Sequence, residues 1–345
     1  SMVNEALPEL IPVLSRIVND SLTKGLFPTV FKEAIIRPSF KGKDLDSEEL
    51  NSYRPISNLS FVSKVVEKCA SLQLIEYLEA NKLLPTKQSA YRKNHSCETA
   101  TLKIFNDILL LMDSKSKVVL LLLDLSAAFD TVKHATLLDK LYSHYGIKNT
   151  ALAWFESYLN GRTSSVCIGD EISPSIEIDI GVPQGSILGP ILFIMYTREI
   201  QDIAGIYGLH VHMYADDTQL YISFDPANED TIFEKIQECL QHIKWWMKVN
   251  YLKLNTGKTE VVMINNKSDK SPNPSTIFLQ KSDNNPTEPS TEARNLGVWF
   301  DQTLSMSSHV SRVIQSCWSQ LANLWRIRKG LSVQLKTQLV HQLIH

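Results

Sequence analysis

This sequence has no Cys-x-x-Cys pair, no long apolar run and no excess of one charge sign, and each absence removes a class of function. The five cysteines, Cys69, Cys97, Cys167, Cys239 and Cys317, are scattered along the chain. That usage fits reduced thiols in a cytosolic or nuclear setting and argues against a disulfide framework or a zinc site. Apolar runs such as Val118 to Leu123 are far too short to span a bilayer, and the first residues lack the apolar region of a signal peptide. A formal net charge of −2 supplies no global basic field, so any polyanion site has to be local. No internal repeat is evident. The 345 residues, 43% of them hydrophobic, are enough for one large domain or for two or three subdomains. Ser1-Met2 reads as a cloning remnant, and an amphipathic pattern still running at His345 predicts a longer parent chain.

Helical spacing of apolar residues predicts helices from about Leu7 to Thr23, Phe61 to Ala80, Glu98 to Met112, Ala135 to Tyr145, Ala151 to Asn160 and Asp230 to Met247. Short strands are expected at Ala34 to Phe40, Val261 to Ile264 and Asn295 to Phe300. Arg162 to Gly169 and Ile172 to Ile180 read as a two-stranded ribbon, and Gly181 to Pro190 as a sharp loop feeding an apolar helix to Tyr196. Residues from about Asn265 to Thr291, rich in Ser, Pro, Asn and Asp, read as a loop excursion with some mobility. Alternating strands and helices point to an α+β sheet domain with helical parts before and after it.

Three carboxylates carry the chemical argument. Asp124 ends a continuous apolar run, Val118 to Leu123, that reads as a fully buried strand. A helix-capping aspartate is the competing account there. Asp216 and Asp217 sit between two alternating segments, Leu209 to Met213 and Thr218 to Ile222, at the tip of an expected hairpin, where aspartate is also an ordinary turn residue. If strand and hairpin share a sheet, the three acids meet at one edge, and such a cluster is unfavourable unless cations neutralise it. Two magnesium ions there could serve an in-line phosphoryl displacement, and a nucleotide would complete their coordination. Lys41, Lys43 and Arg54 cluster upstream, either as ordinary surface charges or as cations reaching for phosphates. Gln88 to Ser96, polar, basic and aromatic, could line a template path or form a surface loop. After Asp301 the tail carries Arg312, Arg326, Arg328, Lys329 and Lys336 with no acid, compatible with nucleic acid or with a solvated face.

The order Asp124-Leu-Ser-Ala-Ala-Phe129-Asp, Gly181-Val-Pro-Gln-Gly-Ser, Tyr214-Ala-Asp-Asp, Asn255-Thr-Gly-Lys258-Thr and Leu296-Gly-Val resembles the successive motifs of reverse transcriptases. The upstream Phe27-Pro-Thr-Val-Phe-Lys-Glu-Ala and Tyr53-Arg-Pro-Ile-Ser-Asn-Leu resemble those of non-LTR (LINE-type) retrotransposons. Each motif is only moderately specific, but five or more in fixed order are very specific.

The resemblance implies a right-hand polymerase fold with an antiparallel palm sheet, a helical fingers extension and a partial helical thumb. Its expected parts are an N-terminal extension and fingers over 1–117, palm over 118–147, fingers over 148–184, palm over 185–301 with a mobile loop at 265–291, and partial thumb over 302–345. It implies that Asp124, Asp216 and Asp217, with a backbone carbonyl near Leu125, hold two Mg2+ ions, for which Mn2+ could substitute. Phe129 matches the aromatic gate against a ribose 2′-hydroxyl, although a core phenylalanine fits the same position. Gln184 and Gly185 match the loop beside the incoming nucleotide and template. Arg54, with Lys41 or Lys43, matches the cations on the triphosphate. Lys258 matches a lysine that protonates departing pyrophosphate, with a surface lysine as the alternative, and Leu296, Gly297 and Val298 match the primer grip. The implied partners are an RNA template, a DNA primer and dNTPs, with no membrane. The implied location is a nuclear and cytoplasmic ribonucleoprotein of a mobile element. Related elements carry an endonuclease upstream and further domains downstream, and the resemblance here extends to neither. An RNA-dependent RNA polymerase and a truncated binding protein with weak or lost catalysis are the rival readings; Phe129 argues against the first and the intact acidic triad against the second.

Overall fold

The computed structural model describes residues 2–42, 45–113, 117–126, 129–255, 257–265 and 289–344. In chain order these form helix α1 (Met2–Lys24), strands β1 (Glu33–Phe40) and β2 (Tyr53–Asn58), and helices α2 (Phe61–Ala80) and α3 (Cys97–Met112). Strands β3 (Lys117–Leu123) and β4 (Leu125–Ser126) precede α4 (His134–Ser143) and α5 (Asn149–Leu159). Then come β5 (Arg162–Ile168), β6 (Glu171–Ile172), β7 (Ile176–Ile178), α6 (Gly189–Tyr196) and α7 (Glu199–Ile206). Strands β8 (His210–Tyr214) and β9 (Asp217–Phe224), helix α8 (Glu229–Val249), and strands β10 (Lys253–Leu254) and β11 (Glu260–Ile264) follow. Strands β12 (Glu292–Asn295) and β13 (Val298–Asp301) and helices α9 (Ser307–Ile327) and α10 (Val333–Ile344) complete the order.

The chain divides into two compact units: residues 1–96, 123–220 and 234–258 in the first, and 97–122, 221–233 and 259–345 in the second. The first unit holds the candidate site. Its sheet pairs β1 antiparallel with β2, placing Ser39 opposite Arg54, and parallel with β5, which carries β6 and β7. Tyr53–Arg54–Pro55 is therefore a strand, because the β1 edge accepts its backbone in register. Helix α2 starts where its periodicity predicts: the Ser60 hydroxyl accepts the Ser63 amide at 3.1 Å, a side-chain cap on an otherwise unpaired donor. Phe27, Trp154 and Tyr158 pack ring on ring, with the Arg162 guanidinium 4.3 Å from the Tyr158 centroid. Helix α7, which sequence periodicity does not announce, is only eight residues long.

In the second unit every residue of the β3 segment is buried, as the apolar run requires. Strand β11 pairs antiparallel with it, Val262 opposite Leu120. Their residues share a core with Ile104 and Ile108 of α3, Tyr221 of β9, and Phe300 of β13. The expected single strand from Asn295 to Phe300 is instead a hairpin. Leu296 and Gly297 both take positive φ, 47° and 90°, and reverse the chain between β12 and β13. Helix α9 buries none of its residues. The excursion expected at 265–291 lies outside the described residues except at its ends. No helix among the described residues is long and apolar enough to cross a membrane.

Candidate active site

The three acids, Asp124, Asp216 and Asp217, all lie in the first unit. Strand β3 ends at Leu123 and Asp124 falls in a break before β4, so its backbone is released from the sheet just where its side chain is needed. Leu125 of β4 pairs with Leu254 of β10, and this two-residue ladder brings Asn255 onto Asp124. The Asn255 amide N–H donates to the Asp124 carbonyl at 2.9 Å, and its side-chain Nδ2 donates to Asp124 Oδ2 at 2.9 Å. Lys258, one turn further on, stands 3.5 Å from the same oxygen with most of its side chain in solvent. Asn255, to which the motif alone gives no role, is thus the hydrogen-bond partner of the Asp124 carboxylate. Its signal was membership of the Asn255-Thr-Gly-Lys258 motif.

Asp216 and Asp217 come from the tight turn between β8 and β9, where Ala215 takes φ of +56° and Asp216 does not share the sign. A two-residue hairpin with positive φ at its first position has the pattern of a II′ turn, normally a glycine's place. An alanine there carries backbone strain of about 1 kcal/mol. Desolvation raises the Asp216 carboxyl above the usual range, and Asp124 adds to the rise while Lys258 opposes it. The Asp217 carboxyl is pushed up to about 6, first by desolvation, then by the charges of Asp216 and Asp124, again against Lys258. The three carboxylates and the ammonium therefore feel one another's charge. Strand β9 is buried along most of both faces rather than alternating, which removes solvent from behind the acids.

Among the described residues no group of three or more His, Cys, Asp or Glu side chains stands close enough to hold a metal ion by itself. The donor chemistry nonetheless fits magnesium. It needs only one or two protein carboxylates and fills the remaining octahedral positions with water and phosphate oxygens. Carboxyls held above their ordinary pKa by desolvation and then by one another's charge are also those that a cation would relieve most.

A second group of residues is joined by direct contact. The Phe129 ring lies 4.7 Å from the Phe193 ring of α6, and its carbonyl accepts the Val182 amide at 2.8 Å. Gln184 Nε2 donates to both oxygens of Asp130, at 3.0 and 2.8 Å, while the Gln184 carbonyl accepts the Ser57 amide at 2.8 Å. Burial raises the Asp130 carboxyl and the Gln184 hydrogen bond opposes the shift. Gly185 has φ of +111°, and a Cβ there would come within 2.9 Å of the Ser57 carbonyl, so the loop tolerates no side chain at that point. Fully buried Glu67 accepts the Ile187 amide at 2.8 Å and the Leu188 amide at 3.3 Å, fixing the entry to α6. Nothing in the apolar stripe of α2 announces that role.

Arg54 and Lys41 lie on or beside the β1–β2 hairpin with exposed side chains, and this hairpin meets the Gln184 loop through the Ser57 backbone. Lys43 falls outside the described residues, as do Ala127 and Ala128. Leu296, Gly297 and Val298 belong to the second unit, at the β12–β13 turn.

Residues 41–300 match the family described as reverse transcriptase (RNA-dependent DNA polymerase). Among curated proteins of Drosophila melanogaster, the chain is 29% identical to a probable RNA-directed DNA polymerase from transposon X-element, across 99% of this chain and 37% of the relative. It is 30% identical to that from transposon BS, across 97% and 37%, and 26% identical to that of the mobile element jockey, across 97% and 36%. The chain thus spans little more than a third of the length of these relatives. Among solved structures, apo telomerase from Candida tropicalis superposes with a TM-score of 0.54 at 13% identity, covering 81% of this chain and 55% of that one, a likeness of fold. The chain belongs to the reverse transcriptase (RNA-dependent DNA polymerase) family, as a domain of the kind carried by non-LTR, LINE-type elements, and has the polymerase fold of that family.

Proposed function

We propose that this chain extends a DNA primer on an RNA template by nucleotidyl transfer from dNTPs. The observation that carries the reading is the electrostatic convergence of Asp124, Asp216, Asp217 and Lys258. The three aspartates would hold magnesium, or manganese in its place, with the backbone at Leu125. When bound, the ions would polarise the attacking and leaving oxygens of an in-line displacement at the α-phosphorus.

The chain's own side chains have separate tasks in this reading. Asn255 fixes the rotamer of Asp124 so that one of its oxygens stays aimed at the site. Lys258 Nζ is available to donate a proton to the departing pyrophosphate. The Phe129 ring, propped on Phe193, closes the space a ribose 2′-hydroxyl would need. Gln184 and Gly185 border the incoming nucleotide and template, and Arg54, Lys41 and Lys43 hold its triphosphate by charge-assisted hydrogen bonds. Leu296, Gly297 and Val298 grip the primer. In this assignment residues 1–117 and 148–184 are extension and fingers, 118–147 and 185–301 palm, and 302–345 part of the thumb. The setting is the ribonucleoprotein of a mobile element, nuclear and cytoplasmic.

Primer extension on an RNA template with magnesium, comparing dNTPs with rNTPs, tests the reading. Templated incorporation of dNTPs is expected, with sugar discrimination falling in Phe129→Ala. Absence of extension would overturn the reading, and unchanged discrimination in the variant would remove Phe129 as the gate.

A further inference from the structure

The turn that presents Asp216 and Asp217 does not stand on its own hydrogen bonds. Ala215 is 8% exposed, so its peptide groups have little access to water. Its N–H donates to Gln88 Oε1 at 3.1 Å, and its carbonyl accepts Gln88 Nε2 at 3.4 Å. One side-chain amide thus satisfies both backbone groups of the residue that brings this turn into left-handed φ, as a neighbouring strand would. Gln88 is itself fixed. It is 1% exposed, and its Oε1 also accepts the Ala90 amide at 2.9 Å.

The segment around Gln88 is laid along β8 to deliver that contact. The Met213 amide donates to the Lys87 carbonyl at 2.8 Å and the Ser89 amide to the Met213 carbonyl at 2.9 Å, a parallel bridge centred on Gln88. Ser89 Oγ meets His212 Nε2 at 2.9 Å. Arg92 Nη1 closes the loop from behind by donating to the carbonyls of Pro85 at 3.2 Å and Gln88 at 3.1 Å. Tyr91, at φ of +58°, sits close enough to Asp216 to feel its charge.

We infer that Gln88 is a positioning residue of the active site: its amide grips the Ala215 peptide, holds the strained turn in its left-handed conformation and so aims Asp216 and Asp217. The segment Gln88 to Ser96 is on this account a brace for the acids at its start, rather than only a lining of the template path. The inference rests on the proposed role of those two aspartates. Neither catalytic contact nor metal contact is assigned to Gln88 itself.

Gln88→Met keeps the volume and removes both hydrogen bonds to Ala215 together with the one from the Ala90 amide, and Ala215→Gly removes the strain they oppose, since glycine enters left-handed φ freely. In steady-state primer extension, Gln88→Met is expected to lower kcat by about tenfold to a hundredfold with the KM for dNTP little changed, the scale of a small misplacement of a catalytic group. The same substitution made on an Ala215→Gly chain is expected to lose several-fold less. Independently of activity, hydrogen exchange of the peptide covering residues 211–219 is expected to quicken in Gln88→Met while the rest of the chain and Tm hold. An equal loss in both backgrounds, wild-type kcat in Gln88→Met, or exchange quickened throughout the chain would overturn the inference. If wild type itself extends no primer, the functional reading fails, and the exchange experiment still decides whether Gln88 holds the turn.

Discussion

Two tight hairpin turns in this chain solve one geometric problem in opposite ways. The β12–β13 turn places Leu296 and Gly297 at positive φ, and the larger value, 90°, falls on the glycine. A Cβ at Gly297 would meet nothing within 4 Å, so at that position only backbone freedom favours glycine. The β8–β9 turn puts an alanine in the left-handed region and holds it with a side chain from a segment 127 residues away in sequence. Strain that local sequence does not relieve has been compensated by a distant partner, and it is stored beside the acids. The first turn is a piece of chain reversal; the second is built to fix direction.

The sharpest way to break this contrast is to remove charge from one turn and freedom from the other. Asp216→Asn is expected to reduce primer extension by about a hundredfold or more, with Tm no lower than wild type, since electrostatic terms of this kind weigh that much in a rate. Retained extension would take Asp216 out of the site. Gly297→Ala is expected to leave the metal dependence of extension intact and to cost about 1 kcal/mol of stability, read from a denaturant midpoint, because its burden is backbone strain. Ala215→Gly, the mirror substitution, is expected to change stability by less than that, since relief of strain is offset by greater freedom of the unfolded chain. A large destabilisation by Ala215→Gly would mean that its methyl group, and not its φ, matters.

Smaller and more diagnostic is the pH behaviour of Asp217. In the fold its carboxyl is pushed up to about 6, above the usual aspartate value of 3.8. The folded state therefore binds its proton more tightly than the unfolded one. Stability from this group is present at low pH and is lost as pH rises through that interval. Without divalent cations at neutral pH, Asp217→Asn is thus expected to melt about 1–3 °C higher than wild type, a modest figure because Asp217 keeps an exposed side. The difference should vanish below about pH 4. A variant that melts lower at neutral pH would contradict the crowding of the acids.

Much of the site was legible because it is written in local chemistry. An apolar run that must be buried ends in an acid at Asp124, and Asp216 with Asp217 sits where two strand-like segments meet. Helix α2 begins and ends where its periodicity and Ser60 place it. The β12–β13 turn was not legible, since Leu296-Gly297 between Asn295 and Val298 reads as continuous strand unless the pairing of β12 with β13 is known. Nor was the β2 strand, whose identity comes from the β1 edge rather than from Tyr53-Arg54-Pro55. Gln88 and Glu67 act on distant backbone through one amide and one carboxylate, and Asn255 acts through its amide on the Asp124 carboxylate, at separations of 127, 120 and 131 residues. Such contacts leave no periodicity and no spacing in the sequence. They are supplied by the fold.

Asp124, Asp216 and Asp217 are proposed to share one cation site. That is tested most directly by magnesium titration of wild type and Asp217→Asn, followed by thermal melting at about pH 8 and about pH 5. The account predicts a magnesium-dependent rise in Tm for wild type at the higher pH, weakened at the lower pH where Asp217 is protonated, and much reduced in the variant at both. An equal rise in wild type and variant, independent of pH, would place the cation elsewhere and contradict the account.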